Sequence, residues 1–385
     1  MRTFGVVTVS RSDYGIYLPI LRKICSEPDL QLHLIASGMH LSPEFGLTVS
    51  SIETDGFEVA ERMEMLLSSD TPEGISKSVG LGLIGFSQLF SRFRPDILIV
   101  LGDRFEMHAA ALAALPFKIP VAHIHGGEIT QGAIDDALRH SITKLSHLHF
   151  VSTEEYSRRV RQLGEEPWRV CVSGAPSLDN LNIVEILSPS QIETRFGVCL
   201  KHPPLLVTFH PVTLEYEQAE WQANELLAAL SECGLPIIFT MPNADTGNSI
   251  IRQKISEYQH GRTDVWSLES MGTQGYFGLM RIAAAMIGNS SSGIIEAPSF
   301  GLPVVNIGTR QAGRVRAANV LDVGCERREI LNGIAKALSP TFRESLCNLR
   351  NPYGDGQAAD RIVQKLKTIP LGPSLVQKKF CDLQV

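Results

Sequence analysis

Short apolar runs, each closed by a turn residue and each followed by an amphipathic stretch, recur along this chain as far as about residue 306. This alternation constrains the fold most. A strand that is apolar throughout must be covered on both faces, and parallel strands joined by crossover helices achieve that. The runs predict strands at Thr3–Val9, Leu30–Ala36, Asp96–Leu101, Ile119–Ile124 and Leu148–Val151. A second series follows at Leu205–Phe209, Pro236–Thr240, Ala284–Ile287 and Pro303–Asn306, with helices such as Glu215–Ser231 and Gly247–Tyr258 between its members. Around Ser177–Pro204 the rhythm lapses, and Ser188, Pro189, Pro203 and Pro204 mark a connector. The expected architecture is α/β, with two open sheets in tandem forming domains over residues 1–178 and 179–365, and a tail, residues 366–385. Pro370–Val385 is polar and aperiodic, so the tail is expected to be loosely held. Open sheets of this kind bind ligands beyond the C-terminal ends of their strands, which implies a central cleft with functional residues directly after strands.

A chain of 385 residues exceeds the usual size of one hydrophobic core, in keeping with two domains. Its formal charge of −6 argues against general affinity for nucleic acid or acidic membranes but permits a local basic pocket for phosphate. No uncharged apolar stretch reaches the roughly 20 residues that span a bilayer. The N-terminal run breaks at Ser10-Arg11-Ser12-Asp13, as a first strand does and a signal peptide does not. Seven cysteines, scattered from Cys25 to Cys381 without a Cys-x-x-Cys pair, fit neither a disulfide framework nor a zinc site. A reduced, cytoplasmic protein without nucleic-acid or membrane partners is expected.

Polar segments follow several of the predicted strands. In Ser10-Arg11-Ser12-Asp13-Tyr14-Gly15, Arg11 is suited to meet a phosphate beside a helix N-terminus, although Ser12 or Asp13 capping that helix explains the same residues. In Gly102-Asp103-Arg104-Phe105-Glu106, an acid at a strand tip is placed as a base or orienting carboxylate, while Gly-Asp is also a common turn. The segment from His123 to His140 is the densest. It holds His123, His125, Glu128, Asp135, Asp136, Arg139 and His140 around the flexible pair Gly126-Gly127. An Asp135–Arg139 ion pair at helical spacing is one explanation. Metal binding is another, but His123 and His125 would share one strand face while Glu128 lies past two glycines, which argues against a metal.

The second series carries Thr208-Phe209-His210-Pro211-Val212-Thr213 and Met241-Pro242-Asn243-Ala244-Asp245 at adjacent strand ends, so His210, Asn243 and Asp245 read as a cleft lining. Gly288-Asn289-Ser290-Ser291-Ser292-Gly293 then leads into a helix whose free N–H groups and hydroxyls suit a diphosphate, with Glu296 one turn in and suited to the two hydroxyls of a ribose. A capping box based on Ser292 misses the ideal glutamate spacing by one residue.

The ordered set SRSDYG, SGMH, GDRFE, HIHGGE, IDDALRHSITK, FHPVT, Pro242-Asn243-Ala244-Asp245, GNSSSGIIEAPSFG and NIGTRQ resembles the hydrolysing branch of the UDP-N-acetylglucosamine 2-epimerases. That branch includes the bacterial enzymes of sialic acid synthesis and the epimerase half of the animal bifunctional enzyme. The resemblance implies two facing Rossmann-like domains in an architecture like that of the GT-B glycosyltransferases, a UDP-sugar substrate, no metal or other cofactor, and self-association to a dimer or tetramer. It implies that Asp103 and Asp135 are catalytic carboxylates, with His210 beside the sugar and diphosphate. Arg11, His40, Arg104, Asn243, Ser290, Ser291, Glu296 and Arg310 would hold nucleotide, phosphates or sugar, and the polar cluster adds His125 and Arg139. A glutamate stands at the position of His125 in the animal enzyme and in the non-hydrolysing branch, and here Glu128 is the nearest substitute. The implied reaction is elimination to a 2-acetamidoglycal followed by hydration, giving UDP and N-acetylmannosamine. The same chemistry on a UDP- or GDP-linked 2,4-diacetamido-2,4,6-trideoxyhexose, as in legionaminic acid synthesis, is the nearest alternative. A GT-B glycosyltransferase is another, and it would need an acceptor site.

Overall fold

The computed structural model describes residues 1–68, 71–130, 134–241, 248–269 and 271–382. The first sheet contains β1 (Arg2–Thr8), β2 (Leu30–Ser37), β3 (Val59–Met63), β4 (Ile97–Leu101), β5 (Val121–Ile124), β6 (Leu148–Val151) and β7 (Val170–Val172). All pairings are parallel, in the order β3-β2-β1-β4-β5-β6-β7. The second contains β8 (Leu205–Thr208), β9 (Ile237–Thr240), β10 (Val265–Leu268), β11 (Ala285–Gly288), β12 (Val304–Ile307) and β13 (Val320–Val323). Its order is β10-β9-β8-β11-β12-β13, again parallel. Each sheet therefore reverses its strand order once, at β1/β4 and at β8/β11, and open α/β sheets bind ligands beyond the strand ends at such points.

All nine predicted strands are present, with ends shifted by a residue or two. The four that the apolar pattern does not reveal, β3, β7, β10 and β13, are the four sheet edges. Interior β4 is buried at every position, whereas β3 alternates and β13 has no fully buried residue. An edge strand is covered less, so it is short, as β7 is at three residues, or interrupted by polar or charged residues, as β3, β10 and β13 are, and lacks the continuous apolar run that a central strand needs. The stretch expected as Glu215–Ser231 begins as a 3-10 segment, Thr213–Gln218, and becomes α-helical only at Ala219–Ser231. The expected connector holds a helix, Pro189–Phe196, closed at its start by a capping box from Ser188 to Gln191.

One compact unit comprises Met1–Glu128, Ile134–Asn180 and Tyr353–Val385; the other comprises Leu181–Pro352 with Ile129–Ala133. The expected division at 178/179 lies close to this first crossing, but residues 353–365 belong to the first unit. The helix Ala358–Thr368 supplies the reason. Its Ile362, Val363 and Leu366 are buried in the first unit's core beside Tyr17, Leu21 and Ile24. The Asp179 carboxylate also accepts from the backbone N–H groups of Ala358 (2.9 Å) and Ala359 (2.6 Å), satisfying the start of the helix.

The tail is not loose up to residue 382. Buried Arg169 donates to the carbonyls of Ser374, Leu375 and Gln377 at 2.8–3.0 Å. Lys378 Nζ lies 2.8 Å from the carboxylate of Glu165, a residue that also pairs with Lys144 and His149. The missing apolar periodicity is replaced by hydrogen bonds and charge.

Candidate active site

At the β1 tip the helix Arg11–Ser26 is capped by Ser10, whose Oγ accepts from the N–H of Asp13 at 3.3 Å, and not by Ser12 or Asp13. Arg11 is the first helical residue and is exposed. Asp13 is buried, and burial pushes its carboxyl up to about 6, against the pull of Arg104 and the Ser10 hydrogen bond and with the help of Glu106 and Asp103. His40 is fully buried, with Nε2 3.0 Å from Thr8 Oγ1 and Nδ1 2.7 Å from Thr48 Oγ1. Burial lowers its pKa to about 4, so the ring is neutral at pH 7. Both of its nitrogens are taken up by hydroxyls of the protein, and His40 therefore shapes the site from behind.

At the neighbouring β4 tip, Gly102 takes the left-handed conformation (φ 71°) and Arg104 caps the helix Phe105–Ala114. The Arg104 guanidinium lies on the fully buried Glu106 carboxylate at 3.2–3.3 Å. Asp103 meets Arg139, which comes from the helix Ile134–Leu145. Arg139 also donates to the His125 carbonyl at 2.8 Å and lies 4.0 Å from Glu128. The buried guanidinium thus meets Asp103 across 36 positions of sequence, a partner that helical spacing does not suggest. Asp135 is in the first turn of that helix, and Asp136 lies 3.6 Å from His140 one turn on.

The two histidines of the β5 tip do not share a face. His123 lies within β5 and uses both ring nitrogens internally, 2.7 Å from the Gly102 carbonyl and 3.1 Å from Thr143 Oγ1. His125 lies past the strand end at φ 64°, where the two-residue alternation no longer holds. Its Nδ1 is 2.6 Å from Glu128 Oε1 and 3.0 Å from Ser152 Oγ, and Ser152 also donates to Glu128 at 3.1 Å. Gly126-Gly127 permits this close turn, since a Cβ on Gly127 would stand 2.6 Å from the Tyr156 carbonyl. Among the described residues no group of three or more His, Cys, Asp or Glu side chains is disposed to hold a metal ion.

In the second unit the β8 and β11 tips are zipped together by Asn289. Its Oδ1 accepts from the N–H of His210 at 2.7 Å and its Nδ2 donates to the His210 carbonyl at 2.8 Å. The Asn289 carbonyl in turn accepts from Arg310 (3.1 Å) and Gln311 (2.9 Å). Gly288 is required here, because at φ 129° a Cβ would lie 1.9 Å from the Thr208 carbonyl. His210 is buried and its pKa lies well below the usual value, through burial first and Arg310 second. The following helix is Ser291–Ile295 only, capped by Ser290, and Glu296 terminates it. Glu296 thus marks the helix end and does not sit one turn inside, and the N-cap is Ser290 in place of Ser292. The Tyr276 hydroxyl lies among Ser292, Thr208 and Ser290. Burial pushes it up to about 12, with Glu296 adding to the effect and the three hydroxyls opposing it. Asn243 and Asp245 lie outside the described residues.

Asp103, His125, Glu128 and Arg139 thus meet in one unit, with Arg104 beside them on Glu106; in the other, His210 and Arg310 are joined through Asn289, Ser290 and Glu296 lie about Tyr276, and Ser291 begins the helix that Ser290 caps. Asp13, Glu106, Ser152, Asn289 and Tyr276 were not singled out from sequence, although Asp13, Glu106 and Asn289 lie inside motifs that were. Ser152 and Tyr276 carry no local signal beyond the position of Ser152 directly after β6.

A profile of the UDP-N-acetylglucosamine 2-epimerases matches residues 22–367, which is most of the chain. The chain belongs to this family. A UDP-N,N'-diacetylbacillosamine 2-epimerase (hydrolyzing) of Legionella pneumophila is 38% identical over 98% of this chain and 99% of its own. A GDP/UDP-N,N'-diacetylbacillosamine 2-epimerase (hydrolyzing) of Campylobacter jejuni is 38% identical over 99% of each. A UDP-N-acetylglucosamine 2-epimerase of Neisseria meningitidis serogroup B is 33% identical over the whole of both. The fold is shared with the crystal structure of a Neisseria meningitidis UDP-GlcNAc 2-epimerase bound to UDP-GlcNAc, at a TM-score of 0.83 and 21% identity over 96% of this chain and 100% of that one. Family membership and fold agree with the expectation from the ordered motifs.

Proposed function

We propose that this epimerase-family chain hydrolyses a UDP-activated 2-acetamido sugar with inversion at C2. N,N'-diacetylbacillosamine is the sugar favoured over N-acetylglucosamine, since the two relatives at 38% identity carry the former in their names and the serogroup B relative at 33% the latter. The observation that carries the reaction is the joining of Asp103, His125 and Glu128 through Arg139 at the β4 and β5 tips. The C2 hydrogen of such a sugar becomes acidic as the C1–O bond to the diphosphate breaks. Donors around the leaving phosphates, for which Ser290, Ser291 and Arg310 are suited, stabilise the departing charge. A proton acceptor in the first cluster then takes the C2 hydrogen, and the C–H electron pair becomes the C1=C2 bond of a glycal. Water adds at C1, and a second group protonates C2 from the opposite face. Asp103, Glu128 and Asp135 are the candidate carboxylates for supporting or carrying out these proton transfers, with His210 beside the sugar and diphosphate. Arg11, Arg104 and Glu296 are assigned to the nucleotide, phosphates or sugar.

The test is a reaction in heavy water with UDP-N,N'-diacetylbacillosamine, its GDP analogue and UDP-N-acetylglucosamine in parallel. One deuterium should appear at C2 of the released manno-configured sugar, with turnover highest on the first substrate. Retention of the original C2 hydrogen would return glycosyl transfer or simple hydrolysis to the front. A cytoplasmic setting is part of the proposal; among the described residues no helix is long and apolar enough to cross a membrane, and the seven cysteines are free. Self-association to a dimer or tetramer is part of the proposal, and light scattering of the purified chain checks it.

A further inference from the structure

We infer that the proton acceptor for C2 is Nε2 of His125, with Glu128 serving to hold the ring; this rests on the epimerase function proposed above. The hydrogen bonds fix the tautomer. Nδ1 lies 2.6 Å from a Glu128 oxygen that also accepts from Ser152, and a carboxylate oxygen accepts, so the shared proton sits on Nδ1. The lone pair of the neutral ring is then on Nε2. That atom lies at the ring edge away from Glu128 and Ser152, is buried, and has no hydrogen-bond partner among the described residues. A buried acceptor left open in this way carries a desolvation cost that a substrate proton would offset.

Glu128 is placed less well for the task. Its Oε1 receives two donors, and its Oε2 faces the Arg139 guanidinium at 4.0 Å. A carboxylate already turned to these donors is poorly placed to take a substrate proton, whereas it is well placed to stabilise an imidazolium formed beside it. The backbone supports the same assignment. His125 is held at φ 64°, an unfavoured conformation for a residue with a Cβ, by its N–H on the Phe150 carbonyl (3.0 Å) and by Arg139 on its own carbonyl (2.8 Å). The same Arg139 grips Asp103, which ties the turn carrying the imidazole to a second carboxylate.

In the resulting step the C2–H bond breaks and its proton passes to Nε2. The freed pair forms C1=C2, and the C1–O pair leaves with the diphosphate. Water then bonds to C1, a different acid protonates C2, and that acid is reset by the proton water releases; the Nε2 proton returns to solvent.

His125→Gly is the decisive variant, because glycine suits a φ of 64° and the change opens a space the size of an imidazole. Turnover should fall by roughly 10²–10⁴-fold, as for loss of a general base, with UDP affinity by calorimetry unchanged. Added imidazole should restore at least about tenfold of the lost rate, and among substituted imidazoles of equal size the restored rate should rise with their basicity. His125→Asn, which tolerates a left-handed backbone, replaces the glycine variant if that fails to fold. Turnover within threefold of wild type in either folded variant overturns the assignment. So does a lost rate that no imidazole restores in a glycine variant that still binds UDP. The wild-type protein is the control for the function beneath: if it releases no nucleoside diphosphate from any of the three substrates, the epimerase function itself fails and the variants are not needed to show it.

Discussion

Replacing Asn289 by alanine should loosen both halves of the nucleotide side at once. The side chain makes two buried hydrogen bonds to the backbone of His210, at 2.7 and 2.8 Å, and Asn289 is 1% exposed. Truncation removes both partners and leaves a buried N–H and a buried C=O unmatched, at about 1–3 kcal/mol each. Taking the middle of that range for each gives a loss of about 4 kcal/mol, which for a unit of this size lowers its melting temperature by roughly 8–16 °C. The backbone carbonyl that receives Arg310 and Gln311 survives the change, so the Ser290 turn stays in place relative to Arg310 but is no longer tied to the β8 tip. UDP affinity should therefore fall, by about tenfold if ordering that tip costs about 1.4 kcal/mol. Scanning calorimetry and isothermal titration with UDP measure the two effects separately. A melting temperature within about 1 °C of wild type, with unchanged UDP affinity, would refute the role given to Asn289.

Asp103→Asn should keep the fold and UDP affinity but lower turnover by ~10²–10⁴-fold, since it removes charge from the Arg139 pair with little change in volume; near-normal turnover in steady-state assays would exclude Asp103 from proton transfer. Burial pushes the Glu165 carboxyl up, but the hydrogen bond from His149 and the ammonium groups of Lys144 and Lys378 outweigh it and hold the group at about 2. A lowered carboxyl stabilises the fold above the ordinary glutamate pKa and loses that contribution as pH falls towards 2. Lys378→Met should accordingly release the tail at a higher pH than wild type, seen as cleavage after residue 370 in limited proteolysis across pH 3–7; identical profiles would show that the tail is held by Arg169 alone. Turnover should survive exhaustive chelation, because hydroxyls, a helix start and Arg310 are available to the diphosphate. Loss of activity restored by a divalent cation would disprove metal independence.

The sequence by itself determined the parts of this protein whose cause is local. Interior strands such as β4 and β11 are apolar at every position because both faces are covered, so each announces itself as a run, and the polar residues that close those runs fall at the strand tips. The order of those tips also carried the family resemblance, which the match over residues 22–367 bears out. What the sequence did not determine are pairings whose partners are far apart along the chain. Arg139 meets Asp103, 36 residues away, and only the strand order β4-β5-β6 creates that neighbourhood. Ser152 reaches Glu128 across 24 residues for the same reason. Edge strands escaped notice because partial exposure removes the apolar signal. The return of residues 353–382 to the first unit was hidden because Arg169, Asp179 and Glu165 hold it through hydrogen bonds and charge as well as through the apolar face of one helix. The left-handed turn at His125 was decided last of all, by Phe150 and Arg139 acting on its backbone, and on that turn depends which nitrogen of the ring is left open.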